Sequence, residues 1–125
     1  MTVSSKSINP MLIEKPWGYY TDIYRPHDKK VVFKKIVVDP GEQLSEQYHK
    51  KRMEFWYIVG GEGVITIDNF DLFVSEGCHV VIQPNEKHMV KNTGVIPLEI
   101  YETQAGQCDE KDIVRLSDIY GRSNE

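Results

Sequence analysis

The sequence predicts an all-β fold, a small jelly-roll barrel with a short C-terminal helix. About eight short runs rich in β-branched and aromatic residues succeed one another, with turn residues between them at roughly 8–12-residue spacing. Only residues 109 to 119 have the apolar spacing that is typical of a helix. The chain of 125 residues, 40% of them hydrophobic, is long enough to bury a single core.

The predicted strands are separated by turns that contain glycine, proline, aspartate or asparagine. Their ranges are 17–24, 31–38, 54–59, 63–67, 70–74, 78–83, 88–91 and 97–104. A sharp break at residues 39–41 follows the second strand, because proline cannot donate to the ladder and glycine permits a bend. In the predicted helix, Ile113 and Leu116 belong to an apolar stripe, and Gly121 ends it.

The polar residues 1 to 13 are predicted to form an N-terminal arm, and residues 14 to 125 a single domain. An arm of this kind docks on a partner subunit or frays. A homodimer is expected, because the sheet edges of a jelly roll invite extension between subunits.

The composition excludes several classes of function. A net charge of −4 is unlike the basic surface of a nucleic-acid-binding protein, so no nucleic-acid partner is expected. No apolar run approaches the roughly 20 residues that span a bilayer, and the N-terminus lacks the apolar stretch of a secretory signal. Two cysteines, Cys78 and Cys108, are too few for a disulfide framework. We therefore expect a cytoplasmic protein without a membrane partner.

Two stretches, 40–61 and 77–92, hold four candidate metal ligands. These are Gln47, His49, Glu54 and His88. Glu54 shares a strand face with Trp56 and Ile58, which are core candidates, so its carboxylate should point inward. A buried carboxylate is costly unless it is paired or binds a cation. Two imidazoles, a carboxylate and an amide oxygen suit zinc, with manganese, iron, nickel and cobalt as alternatives.

The other two histidines are not predicted to bind metal. His27 lies in a charged turn and His79 begins a strand. A single histidine in a β-protein is more often a surface or hydrogen-bonded residue than a ligand. For the four candidates above, the metal interpretation depends on their spacing.

That spacing resembles the two cupin motifs, which implies a cupin double-stranded β-helix. The first motif is carried by Gly41, Gln47, His49, Glu54 and Gly61, and the second by Gly77, Gln83, Asn85, His88 and Asn92. Gln47 stands where most cupins have a histidine, whereas Gln83 and Asn85 replace the usual proline and glycine. Asparagine tolerates a left-handed backbone well, so the turn at Asn85 is expected to be kept.

Residues 14 to 122 resemble more closely the type II mannose-6-phosphate isomerase domain, the C-terminal part of bifunctional mannose-1-phosphate guanylyltransferase/mannose-6-phosphate isomerases. Five ordered elements carry this resemblance: Pro16 to Tyr20, Lys34 with Pro40-Gly41, Leu44 to Trp56, Pro97 to Gly106 and Asp112 to Arg122. The family has histidines where this chain has Lys50, Lys51 and Phe55. The resemblance does not extend to the nucleotidyltransferase part, so it implies no nucleotide chemistry.

The resemblance implies a metal-dependent aldose–ketose isomerase that converts mannose 6-phosphate, a phosphorylated hexose, to fructose 6-phosphate. Such chemistry needs an electrophile and a base that moves a proton between adjacent carbons. Lys34, Arg52 and Glu102 are the predicted catalytic residues, and Arg52 and Lys34 would bind phosphate. Glu102 is either the proton shuttle or a partner of Lys34, and Arg52 has a surface role as its alternative. Arg115 and Arg122 are weaker phosphate candidates, because the surface of the predicted helix accounts for them.

Two other function classes stay open, since a fold does not fix a function. One is a different cupin enzyme: an epimerase or isomerase on another sugar, or an iron-dependent dioxygenase. The other is a non-enzymatic sugar- or metal-binding module, such as a partner subunit in polysaccharide synthesis.

Overall fold

The structure is a computed structural model that describes residues 12 to 117 and 119 to 121. Eleven β-strands occupy the described residues: β1 (Leu12–Lys15), β2 (Gly18–Tyr24), β3 (Val31–Val38), β4 (Glu46–Tyr48), β5 (Arg52–Gly60), β6 (Glu62–Ile67), β7 (Phe70–Ser75), β8 (His79–Ile82), β9 (His88–Asn92), β10 (Leu98–Gly106) and β11 (Val114–Ser117). The all-β prediction is confirmed. The described part of the chain contains no helix of the length and apolarity needed to span a bilayer.

The strands form two antiparallel sheets around one core. The larger sheet has the order β1-β2-β3-β10-β5-β8, and the smaller has the order β11-β4-β9-β6-β7. Buried side chains from both sheets meet between them, among them Trp56, Ile58, Ile65, Val90 and Ile100. Each such side chain contributes about 1.5–3 kcal/mol through removal of apolar surface from water. The pairing of β3 with β10, far apart in the chain, is the crossover that closes the jelly roll.

Period-two alternation places polar groups inside the barrel, as the sequence predicts. Along β10 every second side chain from Leu98 to Gln104 is buried. Along β5 the same holds from Arg52 to Ile58, so that Glu54 lies on one face with Trp56. The inner faces of these two strands therefore carry charged groups at one end of an otherwise apolar core.

The eight strand predictions agree with the structure within about two residues, but three short strands, β1, β4 and β11, were missed. β4 has only three residues, too few for a pattern, and β1 lies partly inside the predicted arm. Residues 12 and 13 of that arm belong to β1 and pair with β2. The remainder of the arm, residues 1 to 11, lies outside the described residues.

The predicted C-terminal helix is wrong for the described part of residues 109 to 119. A turn there leads into β11, which pairs with β4. Asp112 in the turn accepts hydrogen bonds on its carboxylate from the backbone N–H groups of Lys50 and Lys51, at 3.1 and 2.9 Å. These contacts and the ladder with β4 outweigh a weak local helical preference.

The turn at Asn85 has the left-handed backbone conformation that its resemblance to the second cupin motif predicts. Asn85 has a φ of 71°, in the left-handed region. Its N–H donates to the backbone carbonyl of His49 at 2.7 Å. The turn after β8 therefore fixes the loop that carries one of the candidate ligands.

Candidate metal centre

Strands β3, β10 and β5 form one wall of a cavity of about 220 Å³. In the strand register, Glu102 pairs with Lys34 on one side and with Trp56 on the other, and Gln104 pairs with Glu54. Side chains of paired residues project to the same face of a sheet. A row of charged and amide groups therefore lies side by side on this wall.

His49, Glu54 and His88 come together at the cavity. One ligand atom from each lies within 4.8 Å of the other two, and all three residues are buried. His49 Nε2 is 3.2 Å from Glu54 Oε2, and His88 Nε2 is 3.8 Å from Glu54 Oε1. The three donors thus face a common point from β5, from β9 and from the loop between β4 and β5.

Backbone carbonyls fix the tautomer of both imidazoles. His49 Nδ1 lies 2.6 Å from the carbonyl oxygen of Asp112, and His88 Nδ1 lies 2.9 Å from that of Glu86. A carbonyl oxygen can only accept, so each Nδ1 carries the hydrogen and each Nε2 has its lone pair toward the cavity. This is the arrangement in which a histidine binds a metal through Nε2.

Burial also keeps both imidazoles neutral. It lowers the pKa of His49 to about 4, with a further contribution from the positive charge of Arg52. Burial likewise lowers the pKa of His88. At pH 7 both rings are unprotonated at Nε2, which metal binding requires.

Gln47 lies beside this cluster on β4, where its backbone pairs with that of His88. Its side-chain Nε2 donates to the carbonyl oxygen and to the hydroxyl of Ser45, at 3.3 and 3.2 Å. Since the nitrogen is held by Ser45, Oε1 is the atom that remains for a ligand role. Gln47 also lines the cavity.

Arg52 is buried, which overturns a surface role, and its guanidinium contacts two of the predicted ligands. Nε and Nη2 lie 2.9 and 2.8 Å from Glu54 Oε2, and Nη2 lies 3.2 Å from His49 Nε2. Nη1 donates to the carbonyl of Asp109 at 3.3 Å. Because an imidazole Nε2 has a single lone pair, Arg52 and a metal are alternative partners of His49.

The donor set nevertheless fits a divalent metal. Two Nε2 atoms with available lone pairs, a carboxylate and an amide oxygen are ligands of the kind that zinc and related metals accept. Glu54 already has the Arg52 guanidinium as its counterion at 2.8 Å, and a metal at this point would give the buried carboxylate a second positive partner. The cluster of His49, Glu54 and His88 is therefore a candidate metal site that requires Arg52 to give up one hydrogen bond.

The carboxyl group of Glu102 lies next to that of Glu54. The indole Nε1 of Trp56 bridges them, at 3.0 Å from Glu54 Oε1 and 3.4 Å from Glu102 Oε2. The pKa of Glu102 is raised to about 8, chiefly by burial and also by the negative charge of Glu54 and a hydrogen bond between the two side chains. A buried carboxyl group whose pKa is raised toward neutral pH is a common basis for acid–base chemistry.

Lys34 is buried at the cavity and has several partners. Its Nζ lies 3.2 Å from Glu110 Oε2, 3.9 Å from Asp22 Oδ1 and 4.3 Å from the centre of the Tyr20 ring. Although Lys34 and Glu102 are neighbours in the strand register, the ion pairs seen for Lys34 among the described residues are with Asp22 and Glu110.

The cavity also has lining residues that the sequence analysis did not assign to the site. They are Lys15, Trp17, Tyr20, Ile36, Leu44, Gln104, Glu110 and Ile113. Gln104 had a detectable signal, because it shares the period-two face of Glu102. Glu110 had none, since it lies in a segment that was predicted to be helical. Arg115 also lines the cavity from β11 instead of lying on a helix surface, and Arg122 is outside the described residues.

The residues that replace family histidines point away from this cavity. The side chains of Lys50 and Lys51 are exposed, and Phe55 packs against the ring of His79 on the outer face. His79 and His27 are exposed too, and neither lines the cavity.

Comparison with known proteins gives a consistent family. Residues 5–118 match the family described as mannose-6-phosphate isomerase C-terminal. The chain is 41% identical over 112 residues to a mannose-1-phosphate guanylyltransferase of Salmonella montevideo, covering 89% of this chain and 23% of that protein. It is 38% identical over 122 residues to the alginate biosynthesis protein AlgA of Pseudomonas aeruginosa, covering 97% of this chain and 25% of that one. The chain thus spans about a quarter of the length of these relatives.

Similar solved structures support the fold. The capsular polysaccharide assembling protein CapF of Staphylococcus aureus has a TM-score of 0.79 at 20% identity, over 90% of this chain and 34% of that one. A protein with a double-stranded β-helix domain from Klebsiella pneumoniae has a TM-score of 0.70 at 16% identity, over 90% of both chains. The cupin domain of Cnp3 from Schizosaccharomyces pombe has a TM-score of 0.67 at 14% identity, over 80% and 69%.

These matches agree with the geometry of the site. The double-stranded β-helix, the two-motif spacing and the buried His-Glu-His cluster are features of cupins, and the sequence match covers most of the chain. The chain belongs to the mannose-6-phosphate isomerase C-terminal family and has a cupin fold.

Proposed function

We propose that the protein is a metal-dependent sugar-phosphate isomerase that converts mannose 6-phosphate to fructose 6-phosphate, with zinc as the metal. The observation that carries this proposal is the buried cluster of His49, Glu54 and His88 next to Glu102, whose pKa is about 8. A metal at the cluster would hold and polarise the substrate oxygens next to the reacting carbons.

Glu102 is the group best suited to carry the proton. An aldose–ketose isomerisation removes a proton from one carbon and returns one to its neighbour, so a single group with a pKa near the working pH serves both steps. Glu102 is buried and lines the cavity, with 4% of its surface exposed. Trp56 holds one of its oxygens, which orients the carboxyl group.

Positive charge at the cavity suits a phosphorylated substrate. Lys15, Lys34, Arg52 and Arg115 all line it, together with the carboxyl groups of Glu54, Glu102 and Glu110. In this proposal Lys34 and Arg52 bind the phosphate group, Arg52 through the Nη1 and Nη2 hydrogens that Glu54 and the Asp109 carbonyl leave available. Glu110, which is half-exposed and pairs with Lys34, would give way to the phosphate.

An isomerase assay tests the proposal. Zinc-loaded protein should convert mannose 6-phosphate to fructose 6-phosphate, and protein treated with a chelator should not. Other hexose and heptose phosphates belong in the same assay. If one of them is converted and mannose 6-phosphate is not, that sugar phosphate is the substrate. Oxygen uptake with bound iron would indicate a dioxygenase, and binding of a sugar phosphate without turnover would indicate a binding module.

Replacing Arg52 should change the metal affinity. Since Arg52 donates to the Nε2 lone pair of His49 that a metal needs, we expect Arg52→Met to bind zinc about 10-fold more tightly, measured by calorimetry. Lys34→Met is the control, because it removes a positive charge from the cavity without touching a ligand. Weaker zinc binding by Arg52→Met would show that the guanidinium supports the ligand set instead of competing with it.

The β7 edge is where we propose that a homodimer forms. Phe70 and Phe73 on this edge strand are 76% and 84% exposed, and Val95 in the nearby loop is 92% exposed. Exposed apolar side chains on a strand with one free edge favour pairing with a second subunit. Light scattering should give a dimer for the native protein and a monomer for Phe70→Lys with Phe73→Lys. A native monomer at micromolar concentration would exclude this interface.

A further inference from the structure

Gln104 on β10 is fully buried at the cavity wall, and its amide has no partner among the described residues. Neither Nε2 nor Oε1 is within hydrogen-bonding distance of a suitable group there. A buried amide without partners destabilises a protein, and such groups are rare in native structures. The position therefore requires an explanation other than packing.

Asn92 on β9 shows how this fold treats a buried amide that has a structural role. It is as completely buried as Gln104. Its Nδ2 donates to the carbonyls of Val38 and Ile96, at 2.9 and 2.8 Å, and its Oδ1 accepts the N–H of Gly94 at 2.8 Å. Asn92 joins the loop that follows β9 to the end of β3 through three backbone groups, whereas Gln104 makes no such contact and lies beside Glu54 in the strand register.

The chemistry of the amide defines what can satisfy it. Nε2 donates and Oε1 accepts, so a complete partner must offer an acceptor and a donor close together. Phosphate and carboxylate groups only accept at neutral pH and would leave Oε1 without a partner. Two hydroxyl groups on neighbouring carbons of a sugar meet both requirements. The place of Gln104 next to Glu54 puts such a contact close to the candidate metal.

We propose that Gln104 binds a pair of neighbouring hydroxyl groups of the sugar and so selects among sugar phosphates by their hydroxyl pattern. This inference rests on the proposed function, because it takes a hexose phosphate as the ligand. It assigns to Gln104 a part that neither the metal nor the phosphate-binding cations can perform. A site that must hydrogen-bond a hydroxyl strongly rejects an analogue without it.

The test compares Gln104→Met with Asn92→Leu, two replacements of a buried amide by an apolar group of similar size. Without ligand, Gln104→Met should unfold at the wild-type temperature or above it, because it removes unpartnered polar atoms. Asn92→Leu should lower the unfolding temperature by about 5 °C or more. A fall of similar size in Gln104→Met would mean that the amide has a structural role and would overturn the proposal. Gln104→Leu serves as a second variant if the methionine form does not fold.

Ligand affinity is the second measurement. On zinc-loaded protein, calorimetry with mannose 6-phosphate should give a Kd about 10-fold or more higher for Gln104→Met than for the wild type. The 2-, 3- and 4-deoxy analogues of mannose 6-phosphate identify the hydroxyl groups that Gln104 binds. An analogue that lacks one of these hydroxyls should bind the wild type more weakly than mannose 6-phosphate does. The same analogue should bind Gln104→Met as tightly as mannose 6-phosphate binds that variant. Equal affinity of the two proteins for mannose 6-phosphate would overturn this inference alone. Failure of the wild type to bind any of these sugar phosphates would overturn the proposed function as well.

Discussion

Replacing His49 or His88 by alanine is expected to abolish metal binding and isomerase activity and to leave the fold largely intact. Each side chain offers one Nε2 to the cluster with Glu54, and the two donors of the cluster that would remain beside the Gln47 amide oxygen hold a divalent metal poorly. Even changes behind a ligand typically cost 10–100-fold in metal affinity, so loss of a ligand should cost roughly 100-fold or more. Elemental analysis of the purified variants measures the metal, and circular dichroism reports the fold.

His79→Ala is the matched control for both variants. His79 is exposed on β8 and its ring contacts Phe55 on the outer face of the sheet, away from the cavity. We expect its metal content and turnover to equal those of the wild type. If His49→Ala and His88→Ala also kept their metal, the site assignment would be wrong, whatever the activity.

Glu102→Gln is expected to lower the isomerase rate by about 10²- to 10⁴-fold and to leave the metal content unchanged. The amide keeps the shape of the side chain but cannot accept and return a proton, and general acid–base catalysis typically contributes this factor. The metal should stay because Glu102 is not one of the clustered ligands. Steady-state kinetics and elemental analysis on the same sample separate the two effects.

Glu99→Gln on the same strand is the control for that variant. Glu99 lies on the outer face of β10, where it pairs with Lys35 at 3.7 Å near solvent. Its replacement should change turnover by less than about twofold, because an exposed ion pair contributes little. A rate for Glu102→Gln close to that of the wild type would assign the proton transfer to another group.

The raised pKa of Glu102 also predicts how the stability of the metal-free protein depends on pH. A carboxyl group with an ordinary pKa of 4.5 and a folded-state pKa of about 8 holds more protons in the folded than in the unfolded state between these values. Its contribution is therefore complete below pH 4.5 and is lost as pH rises through 8. In Glu102→Gln this loss should be absent.

The two buried histidines act in the opposite direction at lower pH. His49 has a folded-state pKa of about 4 against an ordinary 6.5, and the pKa of His88 is lowered as well. Their contribution is present above pH 6.5 and is lost as pH falls toward 4, so between pH 4.5 and 6.5 it opposes the pH dependence that comes from Glu102. The clean window is pH 6.5–8, where wild-type stability should fall relative to Glu102→Gln by on the order of 1 kcal/mol per pH unit. Parallel stability curves in urea would contradict the assigned pKa.

Most of the fold could be read from the sequence because a strand alternates its side chains with period two. The pattern placed Glu54 with Trp56 and Ile58, and the structure buries all three on the inner face of β5. The range of β3 was predicted to the residue, since a long β-branched run ends at a proline and a glycine. β11 was not predicted, because its ladder with β4 is a tertiary contact that local periodicity does not encode.

The sequence by itself determined the family, through the order of its motifs, and the all-β fold with the inward face of β5, because period-two spacing along a strand is a local property. Only the tertiary structure decided which inward groups touch. The carbonyls of Asp112 and Glu86 orient the two imidazoles, Arg52 shares His49 with any metal, and Gln104 is left without a partner. These contacts join segments far apart in the chain or depend on distances of a few tenths of an ångström, so they follow from how the two sheets pack and not from any pattern along the chain.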